Sequence, residues 1–258
     1  MCVDAGRTHP SHRRVSEGLE SREPAPPRYD PHMQRTIVLL SGGLDSATVL
    51  GLARAEGLEC YGLSFDYGQR HRIELDFARR QAESLGAARH LVLRVDLDKL
   101  GGSSLTTGAP VPPADPGREG IPSTYVPARN TIFLAHALAW AEVVGASRID
   151  LGINAVDYSG YPDCRPEYLE AFRALANLAT ATGVEGRTRL TVHAPLLRLR
   201  KSEIIQKGIA CSVDYGLTSS CYDPGSKGAP CRRCDSCAIR LNAFGELGIE
   251  DPALRRIV

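Results

Sequence analysis

The stretch VLLSGGLDSATVL, residues 38–50, sets two glycines, two serines and one carboxylate between apolar runs. Gly42 and Gly43 have no side chains, so backbone N–H groups on either side of Leu44 can close on an anion. A helix starting directly after them would add further donors and a partial positive charge. Ser41 and Ser46 add hydroxyls. Asp45 has the wrong sign to touch phosphate itself, but it fits a ligand of Mg²⁺ that bridges phosphates. The simpler alternative is a Gly-Gly turn with a cap. The preceding strand, the following helix and the flanking hydroxyls favour phosphate. The loop has neither the G-x-x-x-x-G-K-[ST] spacing nor G-x-G-x-x-G.

A second group is SCYDPGSKGAPCRRCDSC, in which Cys221, Cys231, Cys234 and Cys237 are spaced C-x₉-C-x₂-C-x₂-C. Thiolates two residues apart can grip one tetrahedral Zn²⁺, and four sulfurs close its shell, which makes the metal structural. An iron–sulfur cluster or redox-active thiols are the rivals, and nothing else in the chain suggests electron transfer. The remaining cysteines are scattered, and Cys60 and Cys211 read as small core residues. Without an apolar N-terminal leader, this clustering argues for metal rather than disulfides, in a cytoplasmic protein.

The elements that must hold these groups alternate. RTIVLL (35–40), ECYGLSF (59–65), RHLVLRVDL (89–97), RIDLGIN (148–154) and RLTVHAPL (189–196) read as strands. Helical stretches lie between them. One closes at Gly57, and another carries Ile73, Phe77 and Leu85 on one face. A nearly all-apolar helix capped by Asn130 follows, then one starting around Asp163 and Pro166 with Leu169, Phe172, Leu175 and Leu178 or Ala179 as its stripe. Residues 101–124, rich in Gly, Pro, Ser and Thr, read as a long loop of the lid or mobile kind. The pattern predicts an α/β fold, a doubly wound parallel sheet covered on both faces. The expected domains are an ATP-binding domain over 35–210 and a small zinc module with a C-terminal helix over 211–258. Residues 1–34 read as a disordered extension, with Met33 as an alternative start.

The chain has 258 residues, 43% hydrophobic and 24% charged, with 31 basic against 30 acidic residues. That is ordinary globular material. A net charge near +1 draws it to neither nucleic acid nor membrane. No apolar run approaches the roughly 18 residues of a bilayer span. An isologous homodimer is the base-rate expectation.

SGGLDS resembles the SGGxDS pyrophosphate loop of the ATP pyrophosphatase (PP-loop) superfamily, adenylating enzymes with a Rossmann-like fold of the adenine nucleotide alpha hydrolase type. Four further segments are similar to the 7-cyano-7-deazaguanine synthase family within it: SFDYGQRH (64–71), STYVPARN (123–130), GINAVDYSGYPDCRPEY (152–168) and the cysteine segment. With APLLRLRKSEII they span nearly everything from 35 to 250. Tyr125 stands where Phe is more usual in that family, and residues 1–34 are unmatched.

The resemblance implies ATP-dependent conversion of 7-carboxy-7-deazaguanine and ammonia to the 7-cyano compound through an activated carboxylate and an amide, for queuosine biosynthesis. It implies that Ser41, Gly42, Gly43, Leu44 and Ser46 hold the phosphates and that Asp45 holds Mg²⁺ brought with ATP. Lys201 would neutralise phosphate, unless it is a solvated surface lysine. Arg129 would reach ATP or the carboxylate, unless it is only a helix-start charge. Ser64, Phe65 and Tyr67 are candidates for the adenine pocket. Tyr158 and Tyr161 would stack on the deazapurine, Asp157 or Asp163 would bind its guanidine-like edge, and Arg165 would pair its carboxylate. Asp163 serves equally well as a helix cap. Cys164 has a nucleophile's position without a step that needs one, and His71, His136 and His193 read as packed or surface residues. The alternatives are another adenylating ligase, such as a tRNA-modifying enzyme, and a zinc ribbon on a degenerate nucleotide scaffold. Near-neutral charge weighs against the first, and the intact SGGLDS against the second.

Overall fold

Alternation within the first strands decides how the chain is layered. Ile37, Tyr61, Leu63 and Phe65 pack to one side of the sheet, and Val38, Leu40 and Cys60 to the other, as a period of two requires. The computed structural model describes residues 33–115, 117–154 and 161–256. These belong to one compact unit, Pro31–Val258. The expectation about the first 34 residues falls almost wholly outside the described residues.

Five strands form one sheet: β1 (Arg35–Leu39), β2 (Glu59–Asp66), β3 (Arg89–Arg94), β4 (Arg148–Leu151) and β5 (Thr191–His193). Their order is β3-β2-β1-β4-β5 and every pairing is parallel. Seven α-helices are described: α1 (Leu44–Ala55), α2 (Glu74–Ser84), α3 (Arg129–Val144), α4 (Pro166–Leu178), α5 (Ala181–Val184), α6 (Lys201–Ala210) and α7 (Asp235–Glu246). α3 and α4 close the core on the Ile37 side, and α1, α2, α6 and α7 close it on the Val38 side. The sheet is therefore the doubly wound parallel arrangement that the strand–helix alternation predicts.

Three local expectations need correction. On α4 the buried residues are Leu169, Phe172 and Ala176, whereas Leu175 and Leu178 are 50% and 79% exposed. A 3.6-residue period carries the stripe from 172 to 176, so every third leucine drifts off it. On α2 the buried side is Leu75, Phe77, Ala78 and Ala82, with Ile73 and Leu85 only half-buried. Asn130 does not cap α3, whose cap position is Ala128 at φ 53°. Instead Asp163 Oδ2 accepts the Asn130 N–H at 2.9 Å, a cap supplied from another segment. Residues 101–124 form no helix or strand among the described residues, as a loop should, and several contacts tie them to the core. Leu105 is buried in the core, Ser104 N donates to Ser123 O across the loop base, and Arg118 pairs with Asp235 at 2.7 Å.

The chain after residue 211 leans on the same helices. Tyr215 and Phe244 join the Val38-side core. Arg240 makes a buried two-pronged pair with Asp251 at 2.7 and 2.8 Å. Ser219 N donates to Gly42 O at 2.8 Å. Gly42 is fixed twice over: its φ is +84°, and a Cβ there would lie 2.1 Å from Glu74 O of α2. Gly42→Ala is expected to cost about 2 kcal/mol or more, read as a lower denaturant midpoint. An unchanged midpoint would contradict the close approach of α2 to the loop.

Candidate active site

The strand order reverses between β1 and β4, and in an open parallel sheet the crevice at such a reversal is where ligands bind. Here it is a cleft of about 210 Å³ over the carboxyl ends of the central strands. One wall is the β1–α1 loop, through Ser41, Gly43, Leu44, Asp45 and Ser46. Phe65 and Tyr67 enter from the end of β2, Arg129 from α3, Tyr161 from the segment before α4, and Lys201 from the start of α6. Gly152, just after β4, closes the floor: a Cβ there would lie 2.9 Å from Asp45 C and Ser46 N.

The loop is wound on its own hydroxyls. Ser46 Oγ accepts the Ser41 N–H at 3.1 Å, and Ser41 Oγ accepts the Gly43 N–H at 3.2 Å. α1 begins after Gly43, whose lack of a side chain leaves no cap from the cap position itself, and its N-terminal end lines the cleft. Lys201 Nζ donates to both Asp45 oxygens at 2.8 Å. Lys201 is only 7% exposed, which rules out the solvated-surface alternative. Arg129, half-buried, donates to the Tyr67 hydroxyl at 3.4 Å and lies 5.8 and 6.0 Å from the Tyr67 and Phe133 ring centres. Phe133 in turn stacks on Phe65 at 4.0 Å.

Four expected residues do not line the cleft. Gly42 turns its carbonyl inward, to Gln81 Nε2 at 2.7 Å and Ser219 N. Ser64 faces the opposite side of β2, because Phe65 takes the cleft side and a strand alternates. Its hydroxyl is buried against Leu40 O and His90 Nε2. Asp163 is spent on Asn130. Arg165 is exposed at the start of α4. Asp157 and Tyr158 lie outside the described residues.

The cleft also contains groups that the sequence reading left out or set aside. Ser219, Ser220, Tyr222 and Arg240 reach it from the cysteine segment. Ser220 Oγ accepts the Leu44 N–H of the loop at 3.2 Å. His71 and Glu74 line it from the β2–α2 turn, where burial raises the Glu74 carboxyl to about 8 and lowers His71 to about 3. A helix-facing His-x-x-Glu after a strand was the only available signal for that pair. Cys164 lines the cleft, but burial pushes its thiol up to about 12, which makes it inert. His136 bonds Ile132 O at 2.8 Å, and His193 pairs with Asp150 at 2.7 Å. Both serve packing.

The four clustered cysteines converge, with all Sγ atoms within 4.8 Å of one another. Sulfurs on a tetrahedral zinc would be about 3.8 Å apart, and Cys231 and Cys237 are at 3.9 Å. Backbone N–H groups of Asp223 and Cys231 point at Cys221 Sγ. Cys234 stands at the N-cap position of α7, whose dipole favours thiolate. Hydrogen bonds from Cys221 and Cys237 pull Cys234 down, and the same contacts push those two thiols up. A cation would resolve that competition, so the donor set fits a metal ion. Among the described residues no helix is long and apolar enough to cross a membrane.

A family model described as queuosine biosynthesis protein QueC matches residues 35–248. A protein of Geobacter sulfurreducens named 7-cyano-7-deazaguanine synthase is 59% identical over 219 residues, covering 85% of this chain and 92% of that one. One of the same name from Desulfatibacillum aliphaticivorans is 59% identical over 223 residues, covering 85% and 95%. Among solved structures, NMN synthetase from Francisella tularensis aligns over 85% of this chain and 79% of that one, at 16% identity and TM-score 0.45. With its sequence matched almost from β1 to the end of α7, the chain belongs to the QueC family of queuosine biosynthesis proteins.

Proposed function

We propose that this protein is an ATP-dependent carbon–nitrogen ligase that converts 7-carboxy-7-deazaguanine and ammonia to 7-cyano-7-deazaguanine. The observation that carries this reading is the meeting of the α1 N-terminus, Asp45 and the buried Lys201 in one cleft, in a chain whose relatives bear that activity's name. A carboxylate becoming a nitrile must lose two oxygens, and neither leaves as hydroxide. Each is activated on ATP: the substrate carboxylate first, the amide oxygen second, with AMP as the carrier.

The residues divide the work by charge. The Ser41–Ser46 loop offers backbone and hydroxyl donors to the phosphates. In the absence of nucleotide, Asp45 and Lys201 neutralise each other. With ATP bound, Lys201 turns its ammonium to phosphate oxygen, which stabilises charge developing on the leaving group. Asp45 would hold the Mg²⁺ that accompanies ATP, and the ion would supply further charge neutralisation. Phe65, Phe133 and Tyr67 give flat apolar walls for a base, and Tyr161 gives one for the deazapurine. Arg129, on the same side as Tyr67, is the cation for the substrate carboxylate or for phosphate. The metal of the cysteine cluster is zinc, with a structural role. The protein works in the cytoplasm.

Incubation with 7-carboxy-7-deazaguanine, ATP, Mg²⁺ and ammonium, followed by mass spectrometry, is expected to show substrate-dependent pyrophosphate release and the nitrile. Absence of both would sink the proposal. Lys201→Met should slow pyrophosphate release about 100-fold with the circular dichroism spectrum kept, and wild-type rates would refute its phosphate role. Asp45→Asn should abolish turnover with little unfolding. Stripping the metal with a strong chelator should lower the melting temperature and free about one equivalent of zinc. Zinc release without a fall in stability would contradict the structural assignment.

A further inference from the structure

The turn from β2 into α2, YGQRHRIE over residues 67–74, builds a polar cluster that holding or activating ATP leaves unused. Gln69 is fully engaged: its Oε1 accepts the Tyr67 N–H at 2.8 Å, and its Nε2 donates to Phe65 O and to Glu74 Oε1, each at 3.0 Å. The amide is thus locked with its donors toward the Glu74 carboxyl, an orientation that suits a carboxylate. Glu74 Oε2 lies 3.4 Å from His71 Nε2, with the two side chains 13% and 7% exposed. His71 Nδ1 is buried and has no hydrogen-bond partner among the described residues. Both residues line the cleft. The backbone of Glu74 is held against the phosphate loop at Gly42.

We infer that Glu74 is the base that removes protons from nitrogen as ammonia becomes amide and then nitrile, with Gln69 orienting the carboxylate. The inference rests on the function proposed above. In amide formation the nitrogen lone pair makes the C–N bond, the C–O pair leaves with AMP, and one N–H proton passes to Glu74. Glu74 returns that proton to water. When the second ATP takes the amide oxygen, the nitrogen loses a second proton as C=N forms and pyrophosphate leaves. In the last step the remaining N–H pair becomes the third C–N bond, AMP leaves with the C–O pair, and its proton follows the same route. Each step thus delivers one proton to one base on the nitrogen side of the cleft.

The surroundings suit that work. Burial raises the carboxyl to about 8, against the lowering effect of the Gln69 hydrogen bond and of Arg129, which faces it from α3. A base is most effective when its pKa lies near the working pH. Burial, with Arg129 and Arg70, keeps the neighbouring His71 neutral, so it sets no repelling cation beside an incoming amine.

The test uses the full-length, metal-loaded protein with Glu74→Gln and Glu74→Asp. ATP and 7-carboxy-7-deazaguanine are supplied with or without ammonium, and pyrophosphate and the nitrogen products are followed through one turnover. Glu74→Gln is expected to keep substrate-dependent pyrophosphate release within about threefold while amide formation falls about 100-fold. The acyl adenylate it accumulates should be captured as a hydroxamate when hydroxylamine is added, and Glu74→Asp should recover part of the amide rate. Amide formation by Glu74→Gln at the wild-type rate would overturn the inference. So would loss of its pyrophosphate release, which would make Glu74 a support of the ATP loop. Failure of the wild type itself to release pyrophosphate in response to the substrate would instead overturn the proposed function, and this inference with it.

Discussion

The contact between Lys201 and Asp45 joins residues 156 positions apart, and the architecture of the cleft can be traced from it. Asp45 opens α1 directly after β1, and Lys201 opens α6 after β5. Both helices begin at the carboxyl edge of the sheet. They meet because β4 pairs with β1 on the side away from β2, bringing the second half of the chain back beside the first. The pair sets a carboxylate against an ammonium at the N-terminus of α1. A charged pair in a half-dry cleft is a poor source of stability. It is a good way to keep two opposite charges ready for a ligand that carries both phosphate and a cation.

The cysteine segment gives the other side of the cleft its rigidity. Cys221 follows Ser219 and Ser220 directly, and those two serines bond to Gly42 and Leu44 of the loop. Arg240, one turn into α7, donates to Thr218 and pairs with Asp251 in a buried setting. The loop is therefore braced by a strand of chain anchored at one end by four thiols and at the other by a buried ion pair. Residues 101–124 are drawn into the same bracing through Arg118 and Asp235. A metal ion held by the four thiols would act on the loop through covalent neighbours, without touching a substrate.

Much of this could be read from the chain alone, for reasons that differ by residue. The five strands and the loop are local patterns, and local patterns survive into the fold. The four-cysteine spacing is a ligand set that geometry could only make or break. Where local reasoning went astray, it ignored periodicity or long-range partners. Ser64 and Phe65 cannot share a wall on an alternating strand, and Leu175 and Leu178 fall off a 3.6-residue stripe. Asn130 was expected to cap its own helix, and Asp163 does so from 33 residues away. The pairing of Ser220 with the loop depends on a return of the chain that no window of sequence displays. Burial is the common fate of histidine, so the chain alone offers His71 as a packing residue. Its place beside Glu74 and the cleft emerges only when β2 ends where it does.

The central claim is that both oxygens of the substrate carboxylate leave on nucleotide from this one cleft. It is tested most directly by turning over 7-carboxy-7-deazaguanine labelled with ¹⁸O in both carboxyl oxygens and weighing the products. The account predicts two AMP molecules for each nitrile, each carrying one ¹⁸O in its phosphate. Label recovered in inorganic phosphate or in water, with unlabelled AMP, would contradict it.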